Sequence, residues 1–352
     1  MTKKLRGALV GYGFIAENGH APAYAARQDL EIVAVADTTP ARRARASLHL
    51  PHARIYPDHE TMLERERGRI DFVDVATPPS LHAKISAQAL SLGLHVLCEK
   101  PIATIAASAR DLLGLARTNG KVFFPSHNYK HAPVVRSVRR ILDSGVIGKV
   151  RLATLETFRT THAKGVADWR PDWRRERKWS GGGIAMDHGP HTFYLAFDWL
   201  GGHPTSISAK TWTLGPYDTE DNFSCTMTFP NGIAIANLTW NAGMRKVIYT
   251  LHGSRGAIRV DDDDIEVTCL GNPGDGAKLQ QHESVPSDWK NAGHKDWFVS
   301  LLGDFSGAIA RGEWVGRDAE DAVRAVDLVE TAYASASHES IEQPFELLRR
   351  AV

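Results

Sequence analysis

Cysteine is scarce: Cys98, Cys225 and Cys269 are the only three in 352 residues. An odd number at wide spacing excludes a disulfide framework and fits a reducing compartment, and no two cysteines stand at metal-binding spacing. Net charge is nearly absent as well, since 42 Lys and Arg against 41 Asp and Glu leave +1. That balance removes the electrostatic basis for a nucleic acid or an anionic membrane as partner. No apolar run is long enough to span a bilayer, and neither repeats nor low-complexity tracts occur. One stretch imitates a leader: Lys3, Lys4 and Arg6 precede Ala8–Ala16, and Ala21-Pro22-Ala23 resembles a cleavage site. Its apolar part is short, however, and interrupted by Gly11 and Gly13. What remains is a cytoplasmic globular protein long enough for two domains.

Against that background, Val96-Leu-Cys-Glu-Lys-Pro101 stands out. The apolar run Leu94–Cys98 hands over to an acid, a base and a proline that cannot donate to a ladder, so a strand ends there. Glu99 and Lys100 then sit at a carboxyl end, where open α/β sheets bind ligands. A solvated surface ion pair is the bland alternative.

Near the N-terminus, Leu5–Val10 reads as a buried strand followed by Gly11-Tyr-Gly-Phe-Ile-Ala16, a G-x-G-x-x-A turn. Gly11 would make the tight turn, Gly13 would let backbone approach a pyrophosphate, and Ala16 would let a helix pack closely. Gly11, Gly13, Phe14 and Ile15 are therefore cofactor candidates. A second strand, Ile32–Ala36, ends in Asp37, about 20 residues on, where a dinucleotide fold needs a carboxylate for the ribose hydroxyls. Asp37 could instead cap the helix that holds Arg42 and Arg43. A carboxylate there favours NAD over NADP, while the two arginines keep NADP open.

Strand and helix go on alternating: a helix over Asp58–Arg65, a strand over Asp71–Ala76 ending in Thr77-Pro78-Pro79, and a helix capped by Ser80 and stopped by Gly93. After Glu99-Lys100-Pro101 come a helix near Ala107–Arg117, closed by Gly120, and a strand at Val122–Phe124. This predicts a doubly wound parallel sheet over residues 1–126. After a helix over Val134–Leu142, β-type runs dominate: Val150–Thr157, Thr205–Leu214, Asn222–Phe229, Ile233–Trp240, Val247–Gly253 and Ala257–Val260. These predict an α+β domain over 127–352 with a mainly antiparallel sheet, closed by helices near Trp297–Ala310 and Ala319–Ser335. Asp261–Asp264 lacks the alternating spacing of a calcium loop and reads as solvated turn.

A second constellation is Gly181-Gly182-Gly183 leading into Ile184–Leu200, which has helical spacing of apolar residues. On one helix Asp187 and His191 project from the same face and His188 points elsewhere. An imidazole with a carboxylate beside it can serve as a general base with its orienter, or can be a structural pair. A metal site from Asp187, His188 and His191 is disfavoured, because adjacent helical residues diverge.

Taken together, Gly11–Ala16, Asp37, Ala76-Thr77-Pro78 with His82, Glu99-Lys100-Pro101, and Gly181–Gly183 with Asp187 and His191 resemble the glucose–fructose oxidoreductase / inositol dehydrogenase / rhizopine-catabolism (Gfo/Idh/MocA) family across essentially the whole chain. The resemblance implies a Rossmann domain binding NAD or NADP, with Thr77, Pro78, His82, Glu99 and Lys100 beside the cofactor. It implies an open-faced second sheet that forms homodimers or homotetramers. It also implies Lys100, Asp187 and His191 as catalytic and substrate-contacting residues. Family members often carry an arginine near Lys130, so Tyr129 and Lys130 are substrate candidates that line the pocket differently. Trp173-Arg174 resembles a pair at the substrate mouth, and Trp169-Arg170 is a near copy. His162 belongs with these loop candidates.

The expected chemistry is hydride transfer between a secondary alcohol of a sugar, inositol or related polyol and the nicotinamide. The cofactor supplies the acceptor and the protein supplies orientation and the base. An unperturbed lysine, with a pKa of about 10.4, is a poor base at neutral pH, whereas imidazole titrates in range. His191 is accordingly the expected proton acceptor, Asp187 its orienter, and Lys100 a polariser. Two alternatives use the same scaffold: a glycosidase that borrows NAD for transient oxidation, and a non-catalytic sugar sensor.

Overall fold

The computed structural model describes residues 4–270, 276–287, 289, 293–338, 340–341 and 343–344. The chain divides into two compact units. Met1–His131, Ala163–Gly181 and Lys290–Val326 form the first, and Ala132–His162, Gly182–Trp289 and Asp327–Val352 the second.

Six parallel strands make the sheet of the first unit: β1 (Leu5–Val10), β2 (Leu30–Ala36), β3 (Arg54–Tyr56), β4 (Phe72–Val75), β5 (His95–Cys98) and β6 (Phe123–Pro125), in the order β3-β2-β1-β4-β5-β6. Between them run a π-helical turn (Ala16–His20) continuing into α1 (Ala21–Ala25), then α2 (Pro40–His49), α3 (His59–Arg65), α4 (Pro79–Ser91) and α5 (Ala106–Asn119). Because strand residues alternate, the sheet has two apolar faces. Ala8, Val10, Val73, Val75 and Val96 line one, and Leu9, Phe72 and Leu97 the other. Asp58 caps α3 by accepting the Thr61 N–H at 2.7 Å, and Gly120 ends α5 in the left-handed region. Ser80 is not the cap of α4: Pro78 holds that place and Pro79, with φ already fixed, is the first helical residue.

The sequence draws a single cut after residue 126, but the structure returns two later segments to the first unit. For Lys290–Val326 the reason is coverage of the two faces. Phe298, Leu301, Leu302 and Phe305 of α10 (Lys295–Arg311) complete the Leu9–Phe72 face. Ala319, Ala322, Val323 and Val326 of α11 (Arg317–Ser337) complete the other.

The second unit carries α6 (Pro133–Asp143) and a nine-stranded sheet. Its strands are β7 (Val150–Phe158), β8 (Ser206–Trp212), β9 (Asn222–Phe229), β10 (Gly232–Thr239), β11 (Lys246–Gly253), β12 (Gly256–Asp261), β13 (Asp264–Leu270), β14 (Ala277–Ser284) and β15 (Gln343–Pro344). They run in the order β14-β13-β12-β11-β7-β10-β9-β8-β15. Every neighbouring pair is antiparallel except β7 with β10, which are parallel at the centre. One face buries Ala153, Leu155, Ala234, Ala236, Tyr249 and Leu251, and α9 (Gly189–Leu200) lies with β7 and β10. The run Asp261–Asp264 is the β12–β13 turn, with Asp262 at φ 55° and its carboxylate 3.2 Å from the Lys246 ammonium. Among the described residues no cluster of ligands suits a metal ion, and no helix is long and apolar enough to cross a membrane.

Candidate active site

In the first unit the sheet order reverses between β1 and β4, and the predicted cofactor residues collect at the carboxyl ends of β1, β2, β4 and β5. Gly11 has φ +87°, and a Cβ there would stand 2.9 Å from the Ala76 carbonyl, so only glycine makes this turn beside Thr77. Gly13 is different. No protein atom lies within 4 Å of where its Cβ would be, so its own packing does not call for glycine. A ligand's close approach would. Phe14 and Ile15 open the helix that follows, where N–H groups lack intrahelical acceptors. The Thr77 hydroxyl, buried next to Gly11, has no hydrogen-bond partner among the described residues. These features fit a dinucleotide pyrophosphate.

Asp37 accepts the Tyr12 N–H on Oδ2 and the Thr39 N–H on Oδ1, both at 2.7 Å. The N-cap of α2 is Thr39, so the capping role considered for Asp37 is not the one observed. The two amides instead fix the carboxylate against the glycine turn and leave each oxygen a lone pair for a ribose hydroxyl. Arg42 is buried: its Nε donates to the Tyr12 carbonyl at 2.7 Å and its guanidinium pairs with Glu17, which Arg45 also holds. Arg43 donates to the Asp37 and Thr38 carbonyls at 2.9 and 3.0 Å.

His82 bridges two turns. Its Nδ1 lies 2.7 Å from the Pro101 carbonyl and its Nε2 2.6 Å from that of Thr77. Both contacts are hydrogen bonds only in the charged ring, yet burial pushes His82 below the ordinary imidazole range against the pull of the carbonyls. In the neutral ring one N–H serves one carbonyl at a time.

Glu99 is buried and Lys100 partly exposed. Glu99 Oε2 accepts the Lys100 N–H at 3.2 Å, while Oε1 faces the Ser126 hydroxyl at 2.7 Å and His20 Nε2 at 3.0 Å. On its other side, His20 Nδ1 is 2.7 Å from Asp74 Oδ2, which also accepts the Tyr24 hydroxyl at 3.0 Å. Burial works against a charged imidazole here, but the two carboxylates outweigh it and hold His20 well above its usual range. Burial would likewise raise Glu99, but the His20 contact and charge, the Ser126 hydroxyl and the Lys100 charge lower it. The sequence reading missed His20, Asp74 and Ser126. The signal for Asp74 was an acid inside the buried strand Phe72–Val75.

The other first-unit candidates lie in structural contacts. Tyr129 is buried edge-on to Trp297, with ring centroids 5.7 Å apart. The Lys130 ammonium sits 2.5 Å from Asp318 and 3.4 Å from Asp321. The Arg174 guanidinium stacks 4.2 Å over Trp173, whereas Arg170 lies 5.5 Å over Trp179 and pairs with Glu176 at 3.3 Å, so the two Trp-Arg pairs are not equivalent.

In the second unit the expected single helix over Ile184–Leu200 is two: α8 (Ile184–Asp187) and α9, joined at His188. Pro190 has no N–H and its ring collides with the carbonyl four residues back, which breaks the ladder. His188 does not point away, since its Nε2 is 3.8 Å from Asp187 Oδ2 and its ring centroid is 6.0 Å from that of His191. His191 is buried, with Nδ1 2.7 Å from the Tyr194 hydroxyl. If His191 accepts a proton on Nε2, Nδ1 carries the hydrogen and donates it to Tyr194. His162 is buried 5.8 Å from the Trp240 ring.

Glu220, absent from the sequence reading, organises this segment. Its carboxylate accepts the Gly183 and Ala185 N–H groups at 3.0 Å and the Tyr333 hydroxyl at 2.8 Å. The glycine run has a packing cause, because a Cβ on Gly183 would lie 1.9 Å from the Glu220 carbonyl oxygen, and one on Gly182 would lie 2.0 Å from the Tyr333 hydroxyl.

Residues 5–127 match the oxidoreductase family with an NAD-binding Rossmann fold, and residues 135–259 match the GFO/IDH/MocA C-terminal domain. The chain is similar to the D-glucoside 3-dehydrogenase of Escherichia coli (strain K12), 30% identical over 247 residues that cover 66% of this chain and 68% of that protein. It is also similar to the dTDP-3,4-didehydro-2,6-dideoxy-alpha-D-glucose 3-reductase of Streptomyces antibioticus, 28% identical over 341 residues, with 95% and 98% covered. Among solved structures, levoglucosan dehydrogenase in complex with NADH shares the fold at a TM-score of 0.86 and 21% identity, covering 98% of this chain and 100% of that one. With a glycine turn and an anchored carboxylate fitted to NAD in the first match and the Asp187–His191 segment inside the second, the chain belongs to the GFO/IDH/MocA family of NAD-binding oxidoreductases.

Proposed function

We infer that the protein is an NAD-dependent dehydrogenase of a sugar, inositol or related polyol, interconverting a ring secondary alcohol and its ketone. The observation that carries this reading is the Glu99-Lys100 turn, where a clamped carboxylate fixes the backbone of a partly exposed lysine at a strand end. Relatives named for 3-oxidation and 3-reduction of hexose units support a sugar substrate. Bound NAD supplies the hydride acceptor. Asp37 would hold the adenosine ribose and the Gly11–Gly13 turn the pyrophosphate. Lys100 polarises the reacting hydroxyl, His191 takes its proton through Nε2, and Asp187 is a hydroxyl ligand.

The test is a panel of sugars, glycosides, inositols and sugar acids with NAD and NADP, followed by absorbance of the reduced cofactor. Net reduction of NAD is expected; hydrolysis without net reduction would replace this reading with the glycosidase. Lys100→Met should keep NADH binding within about threefold while losing about a hundredfold or more in kcat. Near-normal turnover would remove Lys100 from the mechanism.

The second sheet presents Leu152, Thr154, Phe158, Ile235 and Ile248 half-exposed and Ile233 exposed on the face opposite its core. That apolar, strand-paired surface supports a homodimer or homotetramer built on this face, which light scattering on the purified protein would read directly. Buried free thiols at Cys98 and Cys225 suit a cytoplasmic setting.

A further inference from the structure

We propose that His20 and Asp74 are positioning residues of the reaction, acting through Glu99 to fix Lys100. The proposal rests on the reading of Lys100 given above. Three observations converge on it. The first is location: His20 closes the π-helical turn Ala16–His20 directly after the cofactor loop, and such turns gather at functional sites. The second is the bond chain: Asp74 Oδ2 to His20 Nδ1 at 2.7 Å, His20 Nε2 to Glu99 Oε1 at 3.0 Å, and Glu99 Oε2 to the Lys100 N–H at 3.2 Å. Period-two alternation turns Asp74 to the opposite face from Val73 and Val75, the face that carries α1 and α10.

The third is the cost of the arrangement. His20 and Asp74 are fully buried and Glu99 nearly so. Burying an ion cluster is expensive, and well-packed apolar groups usually serve stability at least as well. A charged imidazole between two carboxylates does something an apolar trio cannot: it locks the Glu99 rotamer and keeps the Glu99 carboxylate charged beside the Lys100 turn. The groups facing His20 are Asp74 on β4, Glu99 after β5 and the Phe298 ring on α10 at 4.3 Å; Tyr24 of α1 reaches it through Asp74, and Ser126 after β6 through Glu99. All brace the clamp and none is expected to touch substrate.

The experiment is a mutant cycle on the full-length enzyme, using the best substrate of the panel for turnover and NADH fluorescence for cofactor binding. His20→Gln should lower kcat about a hundredfold, the loss expected when a reacting group is displaced by about 1 Å. KM and the NADH Kd should stay within threefold. In the Lys100→Met background the same substitution should cost nothing further. Unchanged kcat in His20→Gln, losses that multiply with Lys100→Met, or an equal loss in NADH affinity would each overturn the proposal. If His20→Gln does not fold, Ser126→Ala removes only the hydroxyl on Glu99 Oε1. It should lower kcat several-fold with the same split, and a wild-type kcat would overturn the proposal. Nitrogen-15 NMR of labelled histidine should show both His20 ring nitrogens protonated at pH 7, and a neutral ring would refute the clamp. The two claims separate cleanly: an active Lys100→Met rejects the reading of Lys100, whereas an inactive Lys100→Met beside a fully active His20→Gln rejects only the positioning role.

Discussion

At Asp37 one side chain would carry two jobs, because the carboxylate proposed for the ribose hydroxyls also holds the Tyr12 and Thr39 amides. Truncation to alanine would therefore loosen the turn as well as remove a charge. Asp37→Asn keeps one of the two amide contacts and sets its NH2 against the other donor, so it loosens the turn less than alanine does: it should weaken NAD binding about tenfold, the worth of a charge-assisted hydrogen bond, while relieving repulsion of a 2′-phosphate. The NAD-over-NADP ratio should narrow by more than tenfold in cofactor titrations, and an unchanged ratio would place selectivity elsewhere. His95 gives a second residue-scale prediction. Its Nδ1 accepts the Val122 N–H at 2.9 Å, and burial, with the Lys121 charge, lowers its pKa to about 4 despite Asp71. A folded pKa below the unfolded value of about 6.5 means its contribution is present above pH 6.5 and lost as pH falls toward 4. The Tm of the wild type should drop more steeply over that window than that of His95→Asn. Asp37 could be singled out by its distance beyond the glycine turn. His20 was not, since nothing in a single imidazole at a helix start tells of carboxylates 54 and 79 residues away in the chain.

Elements show why local pattern reads some features and not others. The strands β7, β9, β10, β11 and β12 announce themselves by alternation and turn chemistry, and the structure moves no end of them by more than one residue. The central β7–β10 pairing is parallel because the connection between them runs through α7 (Arg177–Ser180), α8, α9, β8 and β9, a non-local fact no window of residues contains. The split between α8 and α9 was written at Gly189-Pro190, yet apolar periodicity runs straight across it and reads as one helix. What keeps the short α8 in place is Glu220, whose charge sits on its first N–H groups. Glu220→Gln should cost about 1–3 kcal/mol of stability by leaving a buried donor facing donors. It should also lower kcat by displacing Asp187, with NADH affinity unchanged. Gly183→Ala should be worse, because the atom its Cβ meets is backbone. Melting curves and steady-state rates on both variants check this; wild-type values in Glu220→Gln would leave α8 to hold itself.

For the whole molecule, the division of the chain matters more than the fold type. The parallel sheet could be read from alternation alone, but the elements that finish it come from beyond residue 290 and carry no mark of belonging to the N-terminal half. A fragment of residues 1–126 should therefore not fold cooperatively. It lacks Phe298, Leu301, Leu302 and Phe305, each worth roughly 1.5–3 kcal/mol of burial, and together comparable to the 5–15 kcal/mol that holds a typical domain. Near-UV circular dichroism and calorimetry would show no sharp transition, and a full-chain Tm in the fragment would contradict the assignment. The same three-segment make-up sets a timetable on the ribosome. Translation at about 5–20 residues per second takes roughly 10–40 s to travel from His131 to Val326. Through that interval the nascent sheet carries an uncovered apolar face, so the nucleotide half, though made first, is finished nearly last. Its demand for chaperone protection should peak midway through synthesis.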